Sequence, residues 1–417
     1  MTKWWNDMET RKLEMRARML GNALRIGVVL ALGTEAMAVT GFAQELADAI
    51  WGAPRLQPRA EIVWTKVLCK EPGRYIGWPT VCCRKNGELL AVFSGDRDEH
   101  VCPFGKVQMV RSKDQGMTWS PAVNISNTPL DDRDAGIVEL PNGDLVVSWF
   151  TSLAYQGSIR DRAKLKPGSP HFYWWLHDEK IPAAVKRDGL SYFTMRSSDG
   201  GKTWDAGVRT PGTAPHGPIT LKDGRLLYVG ITYSGHFGIY SGPTNEISVA
   251  ESRDQGRSWQ RLGAVDLPEG EKIGNFHEPH AAEAADGRLV AQIRYEGKGK
   301  QLWQSESADG GKTWAVAHPT ELAGLPPHLI RLRDGTLLSV YGRRFGAFGE
   351  YACLSGDGGR TWDVANEIKL AGHFDGDLGY PASVELPDGR ILTVYYQAEK
   401  KGEKTCLTGT LWKMKKE

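Results

Sequence analysis

Ser307-Ala-Asp-Gly-Gly-Lys-Thr-Trp314 is one of five copies of a single pattern, Ser-x-Asp-x-Gly-x-Thr/Ser-Trp, in this chain. The others run Ser112–Trp119, Ser197–Trp204, Ser252–Trp259 and Ser355–Trp362. Their aspartates, Asp114, Asp199, Asp254, Asp309 and Asp357, are separated by 85, 55, 55 and 48 residues. Self-similarity on that scale marks a repeat architecture, in which each unit leaves faces that only its neighbours can cover. The chemistry of the pattern is that of a turn: the carboxylate accepts local N–H bonds, the glycine takes positive φ, and the indole covers the turn. Five equivalent aspartates read as structural, since a catalytic centre needs one constellation.

A second repeat alternates with the first. An apolar strand enters an Asn/Asp-Gly pair and leaves as another apolar strand, at Asn86-Gly87, Asn142-Gly143, Asp223-Gly224, Asp286-Gly287, Asp334-Gly335 and Asp388-Gly389. Such pairs predict type I′ hairpins. Six hairpins, five of them followed by a turn box, predict six four-stranded sheets. Sheets of that size protect their edges by standing radially around an axis, so the predicted fold is all-β, a six-bladed β-propeller. The sixth unit, from about Tyr380, lacks a box and is expected to take its outer strand from Glu61–Leu68. The propeller is expected over residues 55–417. An insertion at about 152–190, with Phe172, Tyr173, Trp174, Trp175, Arg160 and Arg162, either covers one rim or forms a solvated excursion.

Composition narrows the function. The 417 residues carry 52 Lys+Arg against 50 Asp+Glu, a net charge of +2, which argues against nucleic acid as the main partner. With 41% hydrophobic and 24% charged residues, the chain reads as a folded soluble protein. Within residues 1–45, Arg11, Lys12, Arg16, Arg18 and Arg25 precede the apolar run Ile26–Leu32, and small residues follow. That order predicts a secretory signal cleaved near Ala43, hence a secreted or periplasmic protein with no integral membrane span in the mature chain. An amphipathic helix or a later start codon is the alternative. The six cysteines, Cys69, Cys82, Cys83, Cys102, Cys353 and Cys406, lack the CxxC spacing of a thiolate metal or redox site. Ring closure would bring Cys69 near Cys406, as a disulfide or as buried thiols.

The turn boxes are identified as Asp-box, or BNR, repeats, and over roughly residues 60–415 the chain resembles the sialidase (neuraminidase) superfamily. The resemblance implies an exo-acting glycoside hydrolase that removes a terminal acidic, sialic-acid-like sugar. The family uses a tyrosine nucleophile, a glutamate that activates it, an Asp acid/base and a cluster of arginines on the substrate carboxylate. The implied partner is a glycan or glycoconjugate, and no cofactor or metal is implied.

Aligned on their turn Asn or Asp, the six hairpins place Trp78, Asp134, Pro215, Glu278, Pro326 and Tyr380 at one equivalent position facing the mouth of the ring. Tyr380, in Gly379-Tyr380-Pro381, resembles the nucleophile, and Glu278 its activating glutamate. Arg294 resembles one clamp arginine, Arg343 or Arg344 another, and Arg97 a third; the guanidinium fork can bind a carboxylate bidentately. The acid/base is similar to Asp98, beside Glu99 in the loop after Arg97, or to Asp134 in the run Asp131-Asp132-Arg133-Asp134. Arg133 of that run and Gln397 are further candidate substrate contacts.

The chain departs from the family at two places. Ile76-Gly77-Trp78-Pro79 stands where the family has an Arg-Ile-Pro element, and Tyr396 or Gln397 stands in place of the glutamate that supports that arginine. The two losses agree, because a buried carboxylate without its partner is costly. His216, His280 and His328, one or two places after the aligned position in their blades, are no part of the resemblance. They can contact a different sugar, act as acid/base groups or hold a metal. Two other readings therefore stand: a lyase on uronic-acid glycans using His/Tyr chemistry, and a non-catalytic glycan-binding propeller.

Overall fold

Six four-stranded antiparallel sheets follow one another along the chain in the computed structural model, which describes residues 59–232 and 244–415. The signal-like segment of residues 1–45 lies outside the described residues. Blade 1 comprises Tyr75–Cys83, Leu89–Arg97, Lys106–Ser112 and Val123–Ser126. Blades 2 to 5 repeat the order, with first strands Asp131–Glu139, Ile219–Thr220, Phe276–Glu283 and Pro327–Arg331. Blade 6 has three consecutive strands, Gly379–Glu385, Ile391–Ala398 and Thr405–Met414, and its fourth is Ala60–Cys69 from the other end of the chain. The six blades form a ring, a sialidase-like six-bladed β-propeller. Its closure is the one anticipated for Glu61–Leu68, and the Thr405 hydroxyl donates to Ile76 O at 2.6 Å where blade 6 meets blade 1.

The core lies between blades. Val229, Ile231 and Val249 of blade 3, for example, pack with Ala281, Ile293 and Trp303 of blade 4. Burying a Val, Ile or Leu side chain stabilises by roughly 1.5–3 kcal/mol. Because both faces of a blade are covered, the second strands are continuously apolar, as in Leu89–Phe93 and Leu145–Val147.

The hairpins differ from the type I′ expectation in the same way six times. Gly87 N–H bonds to Arg84 O, and Arg84 N–H to Glu88 O; the same pair of bonds recurs at Gly143, Gly224, Gly287, Gly335 and Gly389. The glycines have φ between 84° and 94°, while the Asn or Asp before each is not left-handed. This is a three-residue loop, a type I turn closed by a glycine bulge. The side chain explains the preference for Asn/Asp: Asn86 Oδ1 accepts from Glu88 N–H, and Asp388 Oδ1 from Arg390 N–H.

The turn boxes have the structural role expected of them. Asp309 accepts from Ser307 Oγ, Lys312 N–H, Thr313 N–H and Thr313 Oγ1. The insertion contributes two helices to the otherwise β fold, Pro170–Lys180 and Ala183–Gly189. Ser169 caps the first, accepting from Phe172 N–H, with Pro170 at its first position. Trp174 of this helix is buried with Cys102, Tyr155 and Ile159, so the insertion rests on the loop that follows blade 1's second strand. All six cysteines are free thiols; Cys69 stands opposite Leu407, and Cys406 Sγ donates to Gln397 O. Among the described residues no helix is long and apolar enough to cross a membrane.

Candidate active site

Four of the six repeat-equivalent positions share one backbone irregularity. Trp78, Asp134, Glu278 and Tyr380 have φ of 54°, 53°, 45° and 52°. At each the ladder to the second strand breaks: between Gly77 and Thr80, Arg133 and Gly136, His277 and His280, Gly379 and Ala382. A left-handed non-glycine residue costs of order 1–3 kcal/mol, and such bulges re-aim side chains. Here they bring residues from different blades into contact at one end of the inner strands. Gly136 is needed beside its bulge, because a Cβ there would lie 2.5 Å from Gly217 Cα.

The Tyr380 hydroxyl donates to Glu278 Oε1 at 2.5 Å. Arg294, reached across the same blade from Glu278, donates from Nη1 to Glu278 Oε2 at 2.5 Å and to the Tyr380 oxygen at 3.0 Å. Its other edge is held by Glu296. Burial alone would raise the pKa of Glu278, but Arg294 and the Tyr380 hydrogen bond outweigh it and hold the carboxylate below its ordinary value. The phenol is shifted well upward, by burial and then by the Glu278 charge, so it rests protonated. Tyr380 is 4% exposed, at the floor, while the side chains of Glu278 and Arg294 are 13% and 15% exposed.

Asp134 lies in the same electrostatic neighbourhood. Burial, with the Glu278 charge adding to it and Arg133 opposing, pushes its carboxyl up to about 7. Oδ1 is buried and has no hydrogen-bond partner. Asp98 is placed otherwise: Arg74 and Trp174 Nε1 bind its two oxygens, the latter at 2.7 Å.

The arginines divide sharply. Arg97 is fully buried and makes a bidentate pair with Asp131, at 2.6 and 2.8 Å. Arg343 is also buried; it binds Glu367 at 2.6 Å and stacks 3.9 Å from the Tyr351 ring. Both are thereby taken out of the expected clamp, their charges matched by structural carboxylates. Arg344, the next residue, faces the site. Its bonds go to Leu378 O and the Tyr396 hydroxyl, both at 2.7 Å, and its Cζ is 5.3 Å from the Tyr380 ring centroid. Arg133 lies with Cζ 4.3 Å from the Trp78 ring centroid. Gln397 is one residue past Tyr396 and borders a different hollow, with His373 and Phe374.

Residues 174–401, more than half of the chain, match the model of the BNR repeat-like domain. The chain belongs to the BNR repeat-like family. No curated protein sequence matches it. Among solved structures, a Dyadobacter fermentans protein described as of unknown function is 25% identical, with a TM-score of 0.68 over 86% of this chain and 100% of that one. The NanB sialidase of Streptococcus pneumoniae is 14% identical, TM-score 0.56, over 86% and 70%. The α-L-arabinanase of Penicillium chrysogenum is 16% identical, TM-score 0.53, over 84% and 98%. These last two likenesses establish the shared fold.

In this BNR propeller the three histidines form a layer behind the tyrosine. His280 and His328 stack at 4.4 Å between centroids, His216 meets them at 5.7 and 4.9 Å, and its ring is 6.3 Å from that of Tyr380. His280 Nδ1 accepts from Leu329 N–H and His328 Nδ1 from Ser383 N–H. Burial depresses all three, so they stay neutral. On their far side an axial cavity of about 490 Å³ is lined by residues from every blade, among them Cys82, Ile137, Ile219, Ala281, Leu329 and Ser383. Among the described residues no group of three or more His, Cys, Asp or Glu has the arrangement of a metal site.

Two site residues carried no sequence signal. His100 packs edge-on at 4.8 Å against Trp78, its Nδ1 3.2 Å from the Tyr75 hydroxyl, which donates to Asp377. Although its ring reaches solvent, crowding and then the charges of Arg133, Arg97, Arg344 and Arg294 keep it neutral. Glu350 is fully buried, and neither carboxyl oxygen has a hydrogen-bond partner.

Proposed function

We propose that this BNR propeller is an exo-acting glycoside hydrolase that releases a terminal acidic, sialic-acid-like sugar from a glycan. The observation that carries the reading is the phenol–carboxylate contact of 2.5 Å between Tyr380 and Glu278, with Arg294 Nη1 3.0 Å from the same phenol oxygen. In the proposed reaction Tyr380 Oη attacks the anomeric carbon while its proton passes to Glu278. The bond to the leaving oxygen breaks as Asp134 protonates that oxygen. Water, giving a proton to Asp134, then attacks the glycosyl–tyrosine, and the departing phenol oxygen takes its proton back from Glu278. Arg294 stabilises charge on the phenol oxygen in both steps. A neutral nucleophile suits an acidic sugar, because an attacking carboxylate would be repelled by the sugar's own. The sialidase and arabinanase structures support hydrolysis on this scaffold by analogy of fold.

The test is Tyr380→Phe against a panel of chromogenic glycosides of acidic sugars. The expected result is loss of turnover with sugar binding retained. Unchanged turnover would remove Tyr380 from the chemistry. Wild-type binding without turnover would favour a glycan-binding propeller, and an ultraviolet-absorbing unsaturated product would favour a lyase.

A further inference from the structure

Blade 1 has Gly77 where a cation of the clamp was expected, yet the indole of the next residue has a cation from blade 2 over it. Trp78 is 1% exposed, and Arg133, from blade 2, stacks on it with Cζ 4.3 Å from the ring centroid. The bulge that turns Asp134 inward follows Arg133 directly and sets the arginine over the neighbouring blade. A guanidinium lying on an aromatic face keeps its N–H edge free for a planar acceptor. Arg133 is only loosely paired, with two carboxyl groups and no hydrogen bond to either. Asp131 Oδ2 and Asp134 Oδ1 are both 3.9 Å away, beyond hydrogen-bond distance, and Nε has no partner.

Arg344 is alike in this respect. Its hydrogen bonds go to a carbonyl and a hydroxyl, and the carboxylate that acts on its charge, Glu278, is already bound by Arg294 at 2.5 Å. Four guanidinium groups act on the His100 ring at the mouth of the funnel. Arg97 is matched by Asp131, and Arg294 by Glu278 and Glu296; Arg133 and Arg344 have no carboxylate at hydrogen-bond distance. Arg133 and Arg344, from blades 2 and 5, are therefore the two guanidinium groups of the site that hydrogen-bond no carboxylate, and so the two whose N–H groups can be offered to an anion.

We infer that Arg133 supplies, from blade 2, the cation that blade 1 lacks, and that Arg133 and Arg344 together select a sugar bearing a carboxylate over its uncharged counterpart. The inference deepens the proposed hydrolase reading and rests on its placement of the site. The cation then comes from the next blade and lies against Trp78, beside Gly77, which stands where the arginine of the Arg-Ile-Pro element would be.

The experiment is calorimetric titration of the full chain with N-acetylneuraminate and its methyl ester, and with glucuronate and glucose, beside a hydrolysis assay. Wild type is expected to bind at least one acid about tenfold or more tightly than its uncharged partner, and Arg133→Gln to lose most of that preference while binding the uncharged partner as before. Arg133→Lys, which keeps the charge but not the stacked fork, should retain part of it; its melting temperature certifies the fold if the Gln variant fails to fold. No acid preference in wild type overturns the inference. So does a preference that survives in Arg133→Gln. Acid selection through Arg133 without hydrolysis leaves the inference standing and ends the hydrolase reading, whereas hydrolysis indifferent to Arg133 does the reverse.

Discussion

Tyr380 and Glu278 are separated by 102 residues and belong to blades 6 and 4, yet their side-chain oxygens lie 2.5 Å apart. Each sits on the same left-handed bulge of an inner strand, φ 52° and 45°, so the ring symmetry that builds the scaffold also sets the reactive pair. In the proposed reaction Glu278 has two roles, taking the phenol proton and, through its other oxygen, holding Arg294 against the phenol oxygen.

Glu278→Gln separates these functions. The amide can still touch Tyr380 and Arg294 but cannot take a proton. Turnover on any substrate the wild type cleaves should fall by about 10²–10⁴, with KM little changed. Steady-state kinetics on a chromogenic acidic glycoside measure it; a variant with near-normal kcat would assign the base elsewhere.

Asp134 predicts the alkaline limb of the pH profile. An acid must be protonated to deliver its proton, and burial holds this carboxyl at about 7. The value of kcat/KM should therefore fall as pH rises through about 7, and the limb should vanish in the much slower Asp134→Asn variant. A limb that persists there belongs to another group. The same comparison in Asp98→Asn should show it intact, because that carboxylate is occupied by Arg74 and Trp174.

Arg97 should behave as a structural residue. Removing it leaves Asp131 buried at 0% exposure without its counterion, a loss of about 3–5 kcal/mol. Arg97→Ala should lower the urea midpoint sharply or fail to fold. A folded variant of normal stability whose only defect is a raised KM would return Arg97 to the substrate clamp.

These outcomes mark where the sequence was legible. The Asn/Asp-Gly pairs and Asp boxes carry local turn chemistry, so they identify the blades wherever they occur. Register from each turn then reached Trp78, Asp134, Glu278 and Tyr380, because each lies the same 8 residues before its turn Asn or Asp and so at the same depth of its blade. The arginines did not follow from register. Arg343 and Arg344 are adjacent, and the strand Leu337–Arg343 ends between them; which one turns inward depends on Glu367 being available to hold the other. His100 was invisible for a related reason. Its loop is set by Trp174 of the helical insertion binding Asp98, a contact between segments 76 residues apart with no local pattern to announce it. The hairpin type differs from the expectation because Asn/Asp-Gly serves a two-residue I′ loop and a three-residue bulged loop equally well.

Glu350 gives the last prediction, one of stability. Its carboxyl is at 0% exposure with both oxygens unpaired, and burial raises it from 4.5 to about 8 despite Arg344. Between those values the folded chain keeps a proton that the unfolded chain has released. Unfolding in that window releases a proton, so the group's contribution to stability is intact below about 4.5, declines as pH rises, and is lost above about 8. Glu350→Gln removes the ionisation but keeps the shape. Its amide has a desolvation cost of its own that does not change with pH. The quantity to measure is therefore the difference between variant and wild-type unfolding free energies at pH 5 and again at pH 8.5, by urea titration followed through tryptophan fluorescence. The variant should gain on wild type by about 2–4 kcal/mol between the two pH values, from about 1.4 kcal/mol per pKa unit. Asp134 titrates identically in both proteins and cancels. A difference that does not move with pH would mean that the Glu350 carboxylate is ionised throughout and compensated by Arg344, which would also deprive Arg344 of the free charge on which selection of an acidic sugar depends.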